Sequence, residues 1–265
     1  MSFWDHLEEL RWVLFRVVIA LFIFAIAGFI FMPWIFDNVI LAPARPDFFL
    51  YEKMCKLSQH LSFLPDFCDQ NFTIDMINID LPAQFFRHLS TSCWIALILI
   101  CPYILFEVWR FISPALYEHE RKNVRWVFLL GSFMFFIGCI VGYSLIFPMT
   151  LRFLYTYSLS DLIHNQVSLD SYMDNFLILI VAMGLVFEMP LISWLLSQVG
   201  ILKKSFFRTY RRYAIVILLI AAAIITPTGD PFTLSLVFFP LYGLYELSVF
   251  FVKADDPEDI SPDTI

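Results

Sequence analysis

Leu179-Ile180-Val181-Ala182-Met183-Gly184-Leu185-Val186-Phe187-Glu188-Met189-Pro190 is the stretch on which the reading of this chain turns. It lies inside a longer apolar run, Phe176 to Leu196, long enough to cross about 30 Å of hydrocarbon as a helix. One carboxylate, Glu188, interrupts that run. A carboxylate near a bilayer centre costs about 2.5–3.5 kcal/mol even on the mild insertion scale. Glu188 is therefore protonated, partnered or turned to a water-lined groove, and it is read as functional. Pro190 lacks a backbone donor and frees the Val186 carbonyl, which bends the helix.

Outward from this stretch the pattern repeats. Trp12 to Phe36, Phe86 to Phe106 and Trp126 to Phe147 are equally long apolar runs. Tyr213 to Ile225 is short for a span, and Phe232 to Val252 follows it. The chain has 265 residues, 60% hydrophobic and 15% charged, with a mean hydropathy of +0.76. A soluble domain carries about 25% charged residues, so soluble, disordered and fibrous classes are excluded. Twelve Lys and Arg fall in the odd-side segments, from Arg11 to Lys253, and five on the other side: Arg45, Lys53, Lys56, Arg87 and Arg152. The positive-inside rule then predicts six transmembrane helices with both termini cytoplasmic. Pro33, Pro102, Pro190 and Pro240 kink the helices, and bent helices of unequal length predict a concave all-α bundle. With only 8 glycines, GxxxG contacts are not expected to organise the packing.

The chain reads as a single membrane domain, 1–265, with three special segments. Residues 1–11 read as a short amphipathic cytoplasmic helix: Phe3, Leu7, Leu10 and Leu14 share one face, and Asp5, Glu8 and Glu9 lie off it. Interfacial helices are usually rich in Lys and Arg, so these acids suit a cationic ligand, although they also complement a helix N-terminus. Residues 37–85 form a long external loop rich in proline and aromatics, expected to be folded. Residues 254–265 form an acidic tail expected to be disordered. Ala42-Pro43-Ala44 mimics a signal-peptidase site, but the apolar run before it is too long for a signal core, so a retained span is expected. Cys55 and Cys68 lie in the external loop, where an oxidising exterior would allow a disulfide. Cys93, Cys101 and Cys139 lie in spans and read as small apolar residues.

In the loop Phe111 to Lys122, Ser113 and Pro114 are placed to cap and open a new helix. Glu118 and Lys122 are spaced to pair, whereas Glu120 has Val124 at its i+4 position and is left to bind something or to be solvated. Glu107 has Arg110 within reach at i+3. Asp230 in Thr226-Pro227-Thr228-Gly229-Asp230-Pro231 reads as turn and cap chemistry. No HExxH, P-loop, GxSxG or metal-ligand spacing occurs, so no enzyme, cofactor or metal site is expected. Nothing favours nucleic acid: the net charge is −7 and no basic domain exists. From the residues alone a receptor, a proton-coupled small-solute transporter using Glu188 and a membrane-embedded enzyme remain open.

Three stretches together resemble the TatC family, the polytopic core subunit of the twin-arginine protein translocase: His6-Leu7-Glu8-Glu9-Leu10-Arg11, the Ser-Pro-Ala-Leu-Tyr-x-His-Glu segment of the Phe111 to Lys122 loop, and Phe187-Glu188-Met189-Pro190. Thr226-Pro227 with Asp230, and Gly138, Tyr143, Phe147 and Pro148, are similar to further family positions. The resemblance implies a non-enzymatic receptor in the cytoplasmic (inner) membrane, present in several copies among membrane lipid. It implies TatA or TatB single-span partners and export driven by the proton motive force. It implies that Glu9 and Glu120 meet the guanidinium groups of twin-arginine signal peptides, since arginine pairs with carboxylates in a rigid fork. Arg11, Phe111 and Leu116 would shape the same surface, Glu188 would meet a partner's transmembrane helix, and Pro43 would belong to an external cap. Residues about 45 to 78, with Cys55 and Cys68, look like an insertion relative to shorter family members.

Overall fold

The computed structural model describes residues 3–58, 74, 76–112, 121–160, 165–198, 200–226 and 229–252. Helices account for almost all of it. They are α1 (Phe3–Ile35), α2 (Phe49–Ser58), α3 (Ala83–Ile112), α4 (Arg121–Val141), α5 (Phe147–Thr156), α6 (Leu169–Val186), α7 (Met189–Gln198), α8 (Lys204–Thr209), α9 (Arg211–Ile225) and α10 (Pro231–Phe251). Single π-helical turns, Phe36–Ile40 and Gly142–Ile146, extend α1 and join α4 to α5 without a break. Five helical stretches are long and apolar enough to cross a membrane. α9, with 15 residues, is shorter than those. At 1.5 Å per residue it spans about 22 Å, less than the usual hydrocarbon thickness. Many large apolar side chains, among them Phe22, Ile30, Phe133, Ile217 and Phe239, point outward and are exposed, as expected where lipid replaces water.

Residues 3–11 are not a separate element. They form the first turns of α1 and run directly into the span. Nothing in Leu7 to Trp12 breaks a helix, and each added residue contributes one more backbone bond once the helix is nucleated.

The packing departs from the sequence expectation at one point. Gly138 on α4 and Gly142, the first residue of the π turn that continues it, form a GxxxG pair, and that face sits directly on α6. A Cβ at Gly138 would stand 2.5 Å from the Met183 carbonyl oxygen and 2.9 Å from Gly184 Cα. Gly184 in turn accommodates Phe135 and Cys139. The low glycine count concealed this because spacing, not number, lets two backbones approach. α1 packs along α3, and α10 packs on α7 and α9.

At the end of the bundle where α1 finishes, aromatic residues fill the core. Phe147 meets Tyr172 and Phe176 edge-on, and all three are buried. Tyr143 donates to the Val39 carbonyl at 3.0 Å, and Tyr51 donates to the Pro43 carbonyl at 2.6 Å. The first bond fastens the Phe36–Tyr51 segment onto the bundle and the second folds the segment on itself, so this part of the region read as an external loop is folded. A two-stranded parallel sheet of β1 (Met76–Ile77) and β2 (Val167–Ser168) closes the same end, pairing Met76 with Val167.

Pro33, Pro102 and Pro240 lie within continuous helices. Pro190 does more. α6 ends at Val186 and α7 starts at Met189, with a tightened turn in which the Glu188 N–H donates to the Leu185 carbonyl at 3.1 Å. Regular bonding resumes when the Ile192 N–H reaches the Glu188 carbonyl at 2.9 Å. The proline ring cannot take the next rung of the ladder, so the helix splits one turn earlier.

Candidate functional site

Glu188 stands at this break, with 6% of its surface exposed. Neither carboxylate oxygen has a hydrogen-bond partner among the described residues. Its Oε2 faces the bare backbone of Gly131 on α4, where a Cβ would lie 3.0 Å away. Leu191 is still tighter on that glycine, at 2.5 Å from the same virtual atom. Leu191 and Phe128 form a small buried cluster with Leu105, Trp109 and Trp194 close by. The result is a carboxyl group held in an apolar setting with two unused acceptor positions. An unsatisfied buried polar group of this kind costs about 1–3 kcal/mol. Such a site can take a proton or a hydrogen-bond donor from another helix.

A second group of polar residues gathers where α1 starts and α3 ends. Glu9 is half-exposed on α1, and Arg11 beside it is exposed. Phe111 is half-buried at the end of α3. Pro114, Leu116 and Glu120, with Glu118 and Lys122 of the same loop, lie among residues whose side chains the structure does not describe. Glu9, Arg11 and Phe111 thus share one end of the molecule, while Glu188 belongs to the α6–α7 break.

Between them lies an arrangement the sequence reading missed. Glu107 pairs with Arg16 of α1, not with Arg110. The Arg16 Nε donates to Glu107 Oε1 at 3.1 Å and its Nη2 to Oε2 at 2.8 Å, a two-pronged contact. Tyr103, one turn before Glu107, donates to Oε1 at 3.0 Å. Glu107 is 2% exposed and Arg16 33%. Arg110 fails to compete because it is exposed, whereas Arg16 lies on the face of α1 that packs along α3. A related pair, Arg211 to Glu246, joins α9 to α10 at the ends that begin and finish those helices, with Tyr242 one turn before Glu246. Tyr-x-x-x-Glu occurs in both acceptor helices, and that spacing was the available signal. Arg87 of α3 bridges Asp170 and Asp174 of α6 at the other end, its Nη2 lying 2.9 Å from Asp174 Oδ2.

The remaining sequence-stretch residues fall elsewhere. Pro43 is buried in a short 3-10 turn, and its carbonyl accepts the Tyr51 hydroxyl. Asp230 caps α10 by accepting the Thr233 N–H at 2.8 Å. Cys55 is disulfide-bonded, whereas Cys93, Cys101 and Cys139 are free; Cys68 lies outside the described residues. A cavity of about 480 Å³ opens between α1, α3 and α6, lined by Met32, Asp37, Arg87, Thr91 and Met173 among others. Among the described residues no group of three His, Cys, Asp or Glu is placed to hold a metal ion.

The family model "Sec-independent protein translocase protein (TatC)" matches residues 5–240. The chain belongs to the TatC family. A TatC protein of Blattabacterium sp. subsp. Periplaneta americana is 36% identical over 255 residues, covering 94% of both chains. The Aquifex aeolicus TatC protein is 30% identical over 254 residues, covering 96% of this chain and 95% of that one. A crystal structure described as the twin arginine translocase receptor TatC superposes with a TM-score of 0.71 at 30% identity, covering 93% of this chain and 97% of its own. A second TatC receptor structure, in DDM, gives 0.74 at 30% identity, with 94% and 99% covered. This TatC-family chain is therefore a multi-pass membrane subunit of the Sec-independent protein translocase, a non-enzymatic transport component. That membership sets aside the solute-carrier and enzyme readings.

Proposed function

We propose that this chain is the receptor of a twin-arginine translocase, binding the signal peptides of folded precursors at the end of the bundle where α1 starts. Glu9 carries the proposal. Its side chain is half-exposed, and among the described residues it makes no hydrogen bond or ion pair, while Arg16, two turns further along α1, is committed to Glu107. A half-exposed carboxylate near a helix end is a fitting half-site for a guanidinium fork. Glu120 supplies the second carboxylate from the α3–α4 loop, with Arg11, Phe111 and Leu116 shaping the surface.

The same reading takes α9 as a short sixth span, for which the bilayer thins locally. Both termini are then cytoplasmic in the inner membrane, as the charge asymmetry requires, and the kinked helices enclose a concave face. Glu188 meets a polar group on the transmembrane helix of a TatA- or TatB-type subunit, and several receptor copies assemble with these partners under the proton motive force. The external segment is closed by a Cys55–Cys68 disulfide, with Pro43 in the cap beside it. Export of a twin-arginine precursor in cells carrying Glu120→Ala or Glu9→Ala tests the carboxylate assignment. Export falls sharply in both variants if the assignment is right. Wild-type rates in either remove that residue from the site.

A further inference from the structure

The Arg16–Glu107–Tyr103 cluster has a charge problem at its centre. Arg16 lies seven residues after Glu9 on the same helix, two turns inward and on nearly the same face. It is close enough to interact electrostatically with Glu9 as well as with Glu107. An uncommitted arginine there would add positive charge beside a site meant for a dicationic ligand, and it would compete for Glu9. The structure shows Arg16 bound on two nitrogens by one buried carboxylate, which Tyr103 holds in place.

We propose that Glu107 sequesters Arg16 and so keeps the Glu9 carboxylate available to the twin-arginine ligand, with Tyr103 and Glu107 acting as positioning residues for that site. The inference rests on the receptor reading above. Glu107 sits one turn before Phe111, so the same contact also fixes α1 against the end of α3 where the second half-site begins. The consequence is asymmetric. Glu107→Gln leaves Arg16, which is partly exposed, with a full uncompensated charge. Arg16→Gln leaves Glu107 with the Tyr103 hydroxyl and puts no extra positive charge beside Glu9. Both single changes break a buried pair and lower stability. They differ in what they do to a cationic ligand.

The test uses the full-length chain in detergent and a labelled synthetic signal peptide bearing Arg-Arg, with its Lys-Lys counterpart as control. Affinity and thermal midpoint are measured for wild type, Glu107→Gln, Arg16→Gln and the double variant, at low and high salt. An added unit charge about 10 Å from the ligand weakens binding roughly three- to tenfold at low salt, an effect that shrinks as the Debye length shortens. Glu107→Gln is expected to show that loss, Arg16→Gln to bind at least as tightly as wild type, and the double variant to recover, while both single variants melt earlier. The proposal is overturned if the two single variants lose affinity equally or only in step with their stability, which would make the contact purely structural. It is also overturned if neither variant changes affinity. Wild-type protein that fails to prefer Arg-Arg would instead refute the receptor reading beneath it.

Discussion

Replacing glycines one at a time by alanine separates backbone contact from helix propensity, and the structure orders the outcomes. At Gly138 the new Cβ meets main-chain atoms: the Met183 carbonyl oxygen at 2.5 Å and Gly184 Cα at 2.9 Å. Neither can rotate away, so α4 must move off α6. Overpacking of this kind costs about 1–3 kcal/mol, and a clash with backbone belongs at the upper end. Alanine returns about 1 kcal/mol through helix propensity, leaving a net loss of about 2 kcal/mol. Gly243 on α10 has nothing within 4 Å of its virtual Cβ, so there the propensity gain stands alone. The two variants should therefore differ by about 3 kcal/mol, or about 6–12 °C in midpoint for a chain of this size. Gly131→Ala belongs between them, because its obstacles are the ends of the Leu191 and Glu188 side chains, which can turn. The assay is the thermal midpoint of detergent-purified protein, followed by size-exclusion recovery or tryptophan fluorescence. Gly138→Ala melting at or above Gly243→Ala would refute the close approach of α4 and α6.

Glu188→Leu should leave stability unchanged or raise it by about 1–3 kcal/mol, because both carboxylate oxygens lack partners; it should abolish export, and a destabilised protein would show that the carboxyl has a structural partner. Asp230→Ala should cost about 1 kcal/mol through loss of the cap on the Thr233 N–H, read as an earlier midpoint that Asp230→Asn largely avoids. Tyr51→Phe removes the donor to the buried Pro43 carbonyl and should cost about 1–3 kcal/mol, seen as faster proteolysis between residues 36 and 58. Intact mass with alkylation before and after reductant should reveal two additional reactive thiols on reduction, mapping to Cys55 and Cys68; two thiols already free there in native protein would exclude the bond.

The spans were legible because hydrocarbon imposes one demand, an apolar run of sufficient length, and Phe176 to Leu196 meets it without tertiary help. The anomaly of Glu188 was legible for the complementary reason: a carboxylate in such a run stands out, and the structure buries it without a hydrogen-bond partner among the described residues. What sequence could not show was pairing across the bundle. Glu107 found Arg16, 91 positions away, in place of Arg110 three positions away. Local spacing says which residues can meet, and helix packing decides which do. Gly138 and Gly142 were overlooked because a census of glycine ignores spacing, although the pair was visible in the sequence. Pro190 was read as a bend, and the structure places that bend in a two-residue turn at Phe187 and Glu188 that separates α6 from α7. The continuity of residues 3–11 with the first span also escaped notice, because an amphipathic stretch and a membrane run look like two elements until one helix joins them.

We propose above that this chain recognises paired arginines with carboxylates at the end where α1 begins. Its most direct test is equilibrium binding of Arg-Arg and Lys-Lys signal peptides to the purified full-length chain, wild type against Glu9→Ala and Glu120→Ala. A clear Arg-Arg preference is expected in the wild type and collapses in both variants. Equal affinity for the two peptides, or a preference that survives both substitutions, would contradict it.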